Sequence, residues 1–438
     1  MRSAMVTMRT LVMAVAVWPA LTAGSAPAAL ASEPPVTPEE MAILRTFAMG
    51  PMPADPTNRW ADDPRAAALG QQFFFDTRFS GPLGPDNDGI SSGSLGRPGQ
   101  WGRVACASCH DPSKGGSDHR TTANTSLAAG WTGRNAPSVL NAAYSPVWQF
   151  WDGRKDSLWS HALGPPESPV EHNGTRLQFA HVIYDHYRNE YEAIFGQLPE
   201  LTDLGRFPAS GKPGDASFDR MAPADQTAIN RVYSNFGKAI AAYERTLLSR
   251  NSAFDRFLAG QDSALNSAAV RGMKLFIGRA SCNECHRGPN FTDYQFHNVG
   301  APQVGPHLPE TDTGRADGIA KVLGDPFNRA GQFSDRPESA HLQGLAVSPA
   351  DIGAFKTPGL RSVSRTAPYM HDGVYPTLWD VLQHYRFGGS TGKFAGVKSP
   401  AIQPLSLSDH DLNDLIEFLE ALDGEPLPNA LVTAPPLP

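Results

Sequence analysis

The chain has 438 residues, and 44 Asp and Glu against 37 Lys and Arg give it a formal charge of −7. That balance excludes a generic phosphate-binding surface, because neutralising a nucleic-acid backbone needs clustered Lys and Arg. Hydrophobic residues make up 40% and charged residues 18%, a globular composition whose length allows about two or three domains.

The first segment reads as an address. Arg2 and Arg9 precede an apolar run from Leu11 to Leu21, and Ala29-Leu30-Ala31 is a small-x-small cleavage signal before Ser32. The run is too short to span a bilayer well, and no later stretch is long and apolar enough for a membrane helix. Residues 1–31 are therefore expected to be a signal peptide. The mature chain is expected in the bacterial periplasm, soluble and free of the membrane after cleavage.

Export normally pairs cysteines as disulfides. Here all four cysteines sit in Cys106-Ala-Ser-Cys109-His110 and Cys282-Asn-Glu-Cys285-His286. Both are C-x-x-C-H, the attachment motif of c-type haem. Two thiols add across the vinyl groups of one porphyrin, and the adjacent His becomes the proximal iron ligand. Composition alone yields such a motif roughly 0.001 times per chain. A zinc ribbon would use two C-x-x-C pairs but has no reason for a His after each. The expectation is two haem c groups, on Cys106 and Cys109 with His110, and on Cys282 and Cys285 with His286. The motifs lie 282 − 106 = 176 residues apart, which suggests one haem per domain.

Between and after the motifs the periodicity is helical. Ile229, Val232, Phe236, Ile240, Tyr243 and Leu247 trace one face of a long helix. Val270, Met273 and Phe276 trace another, stopped by Gly278. Thr377 caps a helix with Leu378, Val381, Leu382 and Tyr385 on its apolar face and Gly388-Gly389 as the stop. Ser408 caps the last helix, burying Leu412, Leu415, Ile416 and Leu419. Long Gly/Pro-rich connections, Gly81 to Gly102 and Gly300 to Arg336, read as irregular, and convincing strands are few. The predicted fold is mainly α: two c-type cytochrome-like haem domains, 32–250 and 251–425, with long irregular loops. After Asp423 a Pro-rich tail, including 426–438, is expected to be mobile.

The two haem motifs, Arg134-Asn135-Ala136-Pro137 with Asn141, Phe150-Trp151-Asp152-Gly153-Arg154, Gly164-Pro165 with Pro169-Val170-Glu171, and Ala242-Tyr243-Glu244-Arg245-Thr246-Leu247 follow in order. The most specific block runs from Phe355-Lys356-Thr357-Pro358 through Thr366-Ala367-Pro368-Tyr369-Met370-His371-Asp372-Gly373. From about Asp62 to Leu422 the chain resembles the bacterial dihaem cytochrome c peroxidase and MauG superfamily.

The resemblance implies a division of labour. The haem on His110 reacts with hydrogen peroxide, and the six-coordinate haem on His286 passes or stores electrons. Trp151 matches the Trp that couples the haems, and Glu171 the acid-base carboxylate. Peroxide cleavage needs a group that takes a proton from one oxygen and returns it to the other. Ten residues before Glu171 the family commonly has Gln, whereas this chain has His161, which suits hydrogen bonding near iron, a second base or a surface position. Many family peroxidases carry a blocking His in the loop before Gly-Trp. Leu127-Ala128-Ala129-Gly130-Trp131 has none, so the haem on His110 is expected to be open. Tyr385, 14 residues beyond His371, matches the Tyr that ligates the second haem in MauG-like members, with Met370 as the rival ligand. A phenolate is a hard anionic donor and favours the higher oxidation states of iron. The resemblance also implies one calcium ion, held by the Asn135 side chain and the carbonyls of Thr366 and Pro368.

Three functions follow. A MauG-like enzyme would use peroxide to oxidise Trp or Tyr residues of a periplasmic partner protein. The block Asp312-Thr313-Gly314-Arg315 with Phe327-Asn328 resembles the MauG-like enzymes found with methanobactin operons, which oxidise a partner's Trp. A cytochrome c peroxidase would reduce peroxide to water with electrons from a small cytochrome or cupredoxin. A non-catalytic dihaem electron carrier would leave Glu171 without a task.

Overall fold

Helices pair around two apolar clusters in the computed structural model, which describes residues 35–438. The expected signal peptide lies outside the described residues. The helix Pro64–Phe75 crosses the long helix Pro223–Glu244, and Leu69, Phe73 and Phe74 meet Phe236, Ala239 and Ile240 in the first cluster. Gly70 lets the backbones touch: a Cβ there would come 1.8 Å from the Ala239 carbonyl oxygen. Phe73 contacts Phe79 at 5.1 Å, Tyr187 at 5.1 Å and Phe236 at 5.2 Å between centroids, mostly edge to face, as ring quadrupoles prefer. The long helix buries the face its spacing predicts but ends at Glu244. Leu247 therefore lies beyond it, though still buried. Arg245 turns instead to Asp62, Nε at 3.0 Å and Nη2 at 2.8 Å.

The second cluster is built on Ser267–Ile277 and Asp409–Glu420. Asn266 caps the former, its Oδ1 accepting from Ala269 N at 2.7 Å, and Gly278 ends it. Gly272 repeats the device of Gly70, with its Cβ position 1.8 Å from the Asp414 carbonyl oxygen. Thr377 and Asp380 form a capping box at the start of Leu378–Arg386, and Ser408 and Asp411 form one at the start of Asp409–Glu420. Gly388 and Gly389, at φ 74° and 82°, turn the chain away after the former.

The clusters are not collinear with the chain. Leu44 and Phe47 pack into the second, while Phe327 and Phe333 pack into the first. Val36–Pro438 form one compact unit. The only sheet among the described residues is the antiparallel pair Phe296–His297 and Phe355–Lys356, with Phe296 opposite Lys356.

Two expectations fail. The connection 300–336 contains a helix, Arg315–Leu323, which buries Ile319 and Val322. Gly314, Asp317 and Gly318 weaken its propensity and hid it. Gly318 is needed because a Cβ there would meet the Asp152 carbonyl oxygen at 1.9 Å. The Pro-rich tail, expected to be mobile, forms a helical turn, Asn429–Val432, so Asp409–Glu420 is not the last helix. Leu427 and Leu431 pack on the first cluster, Gln71 Nε2 donates to the Ala430 carbonyl at 2.6 Å, and the Tyr243 hydroxyl donates to the Leu431 carbonyl. Leu427 and Leu431 of this Pro-rich segment dock it. Among the described residues, no helix is long and apolar enough to cross a membrane.

Candidate active site

Cys106–Cys109 is one helical turn, closed by His110 N donating to the Cys106 carbonyl at 3.0 Å. Gly115 and Gly116, at φ 77° and 72°, fold the chain back so that the Gly116 carbonyl faces His110 Nδ1 at 3.3 Å. A carbonyl only accepts, so Nδ1 carries the proton and Nε2 keeps its lone pair. Burial pushes the His110 pKa down and keeps the ring neutral. Cys106, Cys109 and His110 open onto a cavity of about 520 Å³ that also reaches Trp151, His161 and Glu171. Two thiols and a free imidazole nitrogen on one wall of such a space fit a covalently attached haem.

Glu171 lines the same cavity from a turn whose backbone is held in place. Ala129 N donates to the Glu171 carbonyl at 2.8 Å and Gly130 N to that of Val170 at 2.9 Å. The stretch Leu127 to Trp131 is thus tied down beside the cavity without contributing a His. His119, the one His in that loop, points elsewhere, with Nε2 donating to the Lys114 carbonyl at 2.7 Å. His161 ends the single turn Leu158–His161, capped by Ser157, and its ring meets Phe150 edge-on at 4.1 Å. Burial, then the fields of His110 and Arg154, push the His161 pKa well down, so it enters the cavity as a neutral ring.

Trp151 lies where the two halves of the chain meet. Its indole N–H donates to the Asn135 carbonyl at 2.8 Å, and its own carbonyl accepts from Lys356 N at 2.7 Å. Asp152 beside it is fully buried, with Arg134 Nη1 at 2.6 Å and Arg154 Nη1 at 3.2 Å. Arg134 also grips Asp312 through Nε and Nη2, both at 2.7 Å.

The second motif repeats the first. Ser281, at φ 51°, leads into the turn Cys282–Glu284, and His286 N donates to the Cys282 carbonyl at 2.8 Å. His286 Nδ1 donates to the Phe291 carbonyl at 2.9 Å, which again leaves Nε2 free. Tyr385, on Leu378–Arg386, has its hydroxyl pKa pushed up by burial first and then by the fields of Cys282 and Cys285. His384 orients this helix: Nε2 donates to the Val299 carbonyl at 2.9 Å, and Nδ1 accepts from the Tyr375 hydroxyl at 2.8 Å. Met370 sits at φ 71° in the turn between Tyr369 and Tyr375, which bridge.

A family model described as di-haem cytochrome c peroxidase matches residues 64–263. The chain is 33% identical over 433 residues to cytochrome-c peroxidase IdrP1 of Denitromonas iodatirespirans, with 96% of this chain and 94% of that protein covered. It is 32% identical to the methylamine utilization protein MauG of Methylorubrum extorquens, with 86% and 82% covered. This chain belongs to the di-haem cytochrome c peroxidase and MauG family. It is an oxidoreductase of the haem peroxidase type, and membership implies two haem c groups. The fold is shared with the crystal structure of a MauG-like protein associated with microbial copper homeostasis, at TM-score 0.58 and 23% identity, covering 88% of this chain and 97% of that one.

In this family member several site residues escaped sequence reading. Glu244 lines the cavity, buried, with Oε2 unpartnered; burial pushes its pKa up to about 8. His371 stacks on Phe355 at 3.5 Å, and burial pushes it down to about 3. Both belong to motifs that carried the resemblance, but neither residue type signals burial by itself. Of the expected calcium ligands, Asn135 and Pro368 are brought together across 233 residues, Asn135 Nδ2 donating to the Pro368 carbonyl at 2.6 Å. Thr366 precedes Pro368 by two residues. A hard cation would need the amide turned to present Oδ1, and the oxygen donors available there suit one.

Proposed function

We propose that this protein is a periplasmic MauG-like enzyme that spends hydrogen peroxide on oxidising Trp or Tyr residues of a partner protein. The observation that carries this reading is Tyr385, held on Leu378–Arg386 within the electrostatic reach of Cys282 and Cys285, where it would be available to the second haem as a phenolate donor. The chain would form two haem domains, 32–250 and 251–425, with Leu44 and Phe47 packing into the second apolar cluster and Phe327 and Phe333 into the first. When bound, the haems supply the redox chemistry of O–O cleavage and hold the resulting oxidising equivalents.

The residues supply the rest. Cys106 and Cys109 would hold one ring and Cys282 and Cys285 the other, while His110 and His286 would offer Nε2 to iron. Glu171, which lines the cavity with His110, takes a proton from one peroxide oxygen and returns it to the departing one. His161, neutral, offers a hydrogen bond beside it. Trp151 couples the two sites, its indole N–H oriented by the Asn135 carbonyl. Tyr385 would serve the second haem as a phenolate donor, giving up its hydroxyl proton. Calcium on Asn135, Thr366 and Pro368 would stitch the halves together next to Trp151.

A second reading is supported by the relatives named cytochrome-c peroxidase: peroxide reduced to water with electrons from a small cytochrome or cupredoxin. The two differ in what the fully ferric protein does. Mixed with stoichiometric peroxide in a stopped-flow spectrometer, it should give a two-electron oxidised state shared by both haems. An inert ferric protein, switched on only by half-reduction with a small cytochrome, would favour the second reading and leave Tyr385 as a core residue.

A further inference from the structure

Two tryptophans three residues apart have opposite electrostatic surroundings. Trp151 donates its N–H to the Asn135 carbonyl at 2.8 Å, a dipole that favours positive charge on the indole. Trp148 instead faces Arg315, whose guanidinium carbon lies 4.1 Å from the Trp148 ring centroid and 4.1 Å from that of Phe296. Arg315 is only 3% exposed and forms no ion pair among the described residues. Of the carboxylates whose fields reach it, Asp351 accepts from Ser348 N at 2.8 Å and Oγ at 2.7 Å, and Asp152 is taken by Arg134 and Arg154. Arg315 Nη1 donates to the carbonyls of Asp152 at 3.2 Å and Gly153 at 3.0 Å, directly after Trp151. The backbone is shaped to admit it: Gly153 stands at φ 67°, and a Cβ there would meet Arg315 Nη1 at 2.3 Å. Burial pushes the Arg315 pKa down only to about 10, so it remains a cation at neutral pH.

We infer that Arg315 is a positioning residue that guards Trp148 from oxidation and so keeps oxidising equivalents at Trp151. This rests on the coupling role proposed for Trp151. Removing an electron from Trp148 creates a radical cation against a fixed guanidinium, and like charges repel strongly where water is excluded. Without that cation, Trp148 becomes a sink. Two electrons leave its indole, one water oxygen is added and two protons are released, while one peroxide takes up two electrons and two protons to become water. The product is a hydroxylated Trp148 and a wasted turnover.

The test compares holoprotein of the wild type, Arg315→Gln, Arg315→Lys and the double variant Arg315→Gln/Trp148→Phe, each treated with peroxide in the absence of a partner. Peptide mass spectrometry reads hydroxylation at Trp148, and visible and near-infrared absorbance reads the lifetime of the oxidised state. Arg315→Gln should raise Trp148 hydroxylation and shorten the lifetime, each roughly tenfold. Arg315→Lys, which keeps the charge, should stay near wild type, and the double variant should recover the lifetime. The inference is overturned if Arg315→Gln leaves Trp148 unmodified, if Arg315→Lys behaves like Arg315→Gln, or if the double variant stays short-lived. A wild-type ferric protein that forms no oxidised state would instead defeat the proposed function. Trp148 hydroxylation during turnover of the half-reduced protein then still reads the effect of Arg315.

Discussion

Glu171 is held by its backbone rather than its side chain, so its carboxylate can be changed without disturbing the turn. Glu171→Gln should leave haem content and peroxide access intact and slow peroxide cleavage by roughly 10²–10⁴, measured by stopped-flow absorbance. Unchanged kinetics would move the acid-base task to His161, and His161→Gln measured alongside separates a shared role from a bystander. At the other haem, Tyr385→His should keep six-coordination yet shorten the life of the oxidised state, so that peroxide still reacts while a partner is no longer oxidised. The resting ferric wild type should show a mixed-spin paramagnetic resonance spectrum, high-spin from the open site on His110 and low-spin from the site on His286. Purely high-spin iron would remove Tyr385 from the ligand set. At this scale the attachment residues were legible because covalent haem binding needs five consecutive positions. Glu244, His371 and Arg315 were not, because their character comes from burial among residues far away in sequence.

Among the elements, the helix Leu378–Arg386 carries Tyr385 and depends on its cap. Thr377 Oγ1 accepts from Asp380 N at 3.2 Å, and Asp380 Oδ2 accepts from Thr377 N at 3.1 Å. Thr377→Ala should cost about 1 kcal/mol, read by denaturant unfolding, and broaden the low-spin signal as the first turn frays. The helix crossings at Gly70 and Gly272 are less forgiving. Gly70→Ala puts a methyl 1.8 Å from the Ala239 carbonyl oxygen, so the helices must separate. A loss of about 1–3 kcal/mol is expected, although alanine is the better helix former. A variant as stable as wild type would mean that this crossing is looser than described. The caps Thr377 and Ser408 and the stops Gly278 and Gly388-Gly389 stand as expected, whereas the long helix ends at Glu244, short of Leu247, and Ile416 is only partly buried. Arg315–Leu323 escapes the pattern because Gly318 serves a packing contact with Asp152, which no local periodicity announces.

For the whole molecule, the decisive joint is the buried cluster of Arg134, Arg154, Asp152 and Asp312, which ties the motif around Trp151 to the segment following the second haem site. Burial opposes the charge on Asp152, but Arg154 and Arg134 outweigh it and hold the carboxyl below the ordinary range. A depressed acid stabilises the fold above its unfolded pKa of about 3.9, and that contribution is lost as pH falls through the folded value. Asp152→Asn should therefore lower stability at pH 7 by about 3 kcal/mol, and the gap to wild type should narrow below about pH 4, as read from thermal unfolding across pH. Haem stoichiometry is also tested on the whole molecule. Denatured protein should give a c-type pyridine haemochrome at two per chain, with Cys106→Ala and Cys282→Ala each removing one. Haem extractable by acid acetone would contradict covalent attachment.

The sequence by itself determined the chemistry that is local along the chain: two C-x-x-C-H motifs, helix caps and stops, and a mainly helical fold. Each is a matter of neighbouring residues, where covalent geometry and hydrogen bonding over one turn leave little choice. Only the tertiary structure decided what faces what. It brought Glu171 and His161 to one cavity with His110, and placed Tyr385 on the helix Leu378–Arg386 within the fields of Cys282 and Cys285. It docked the Pro-rich tail and set Arg315 against Trp148. Those pairings join segments tens to hundreds of residues apart, and they are chosen by which apolar faces bury together and which buried charges find partners. That choice is a property of the packed molecule and of no single stretch of it.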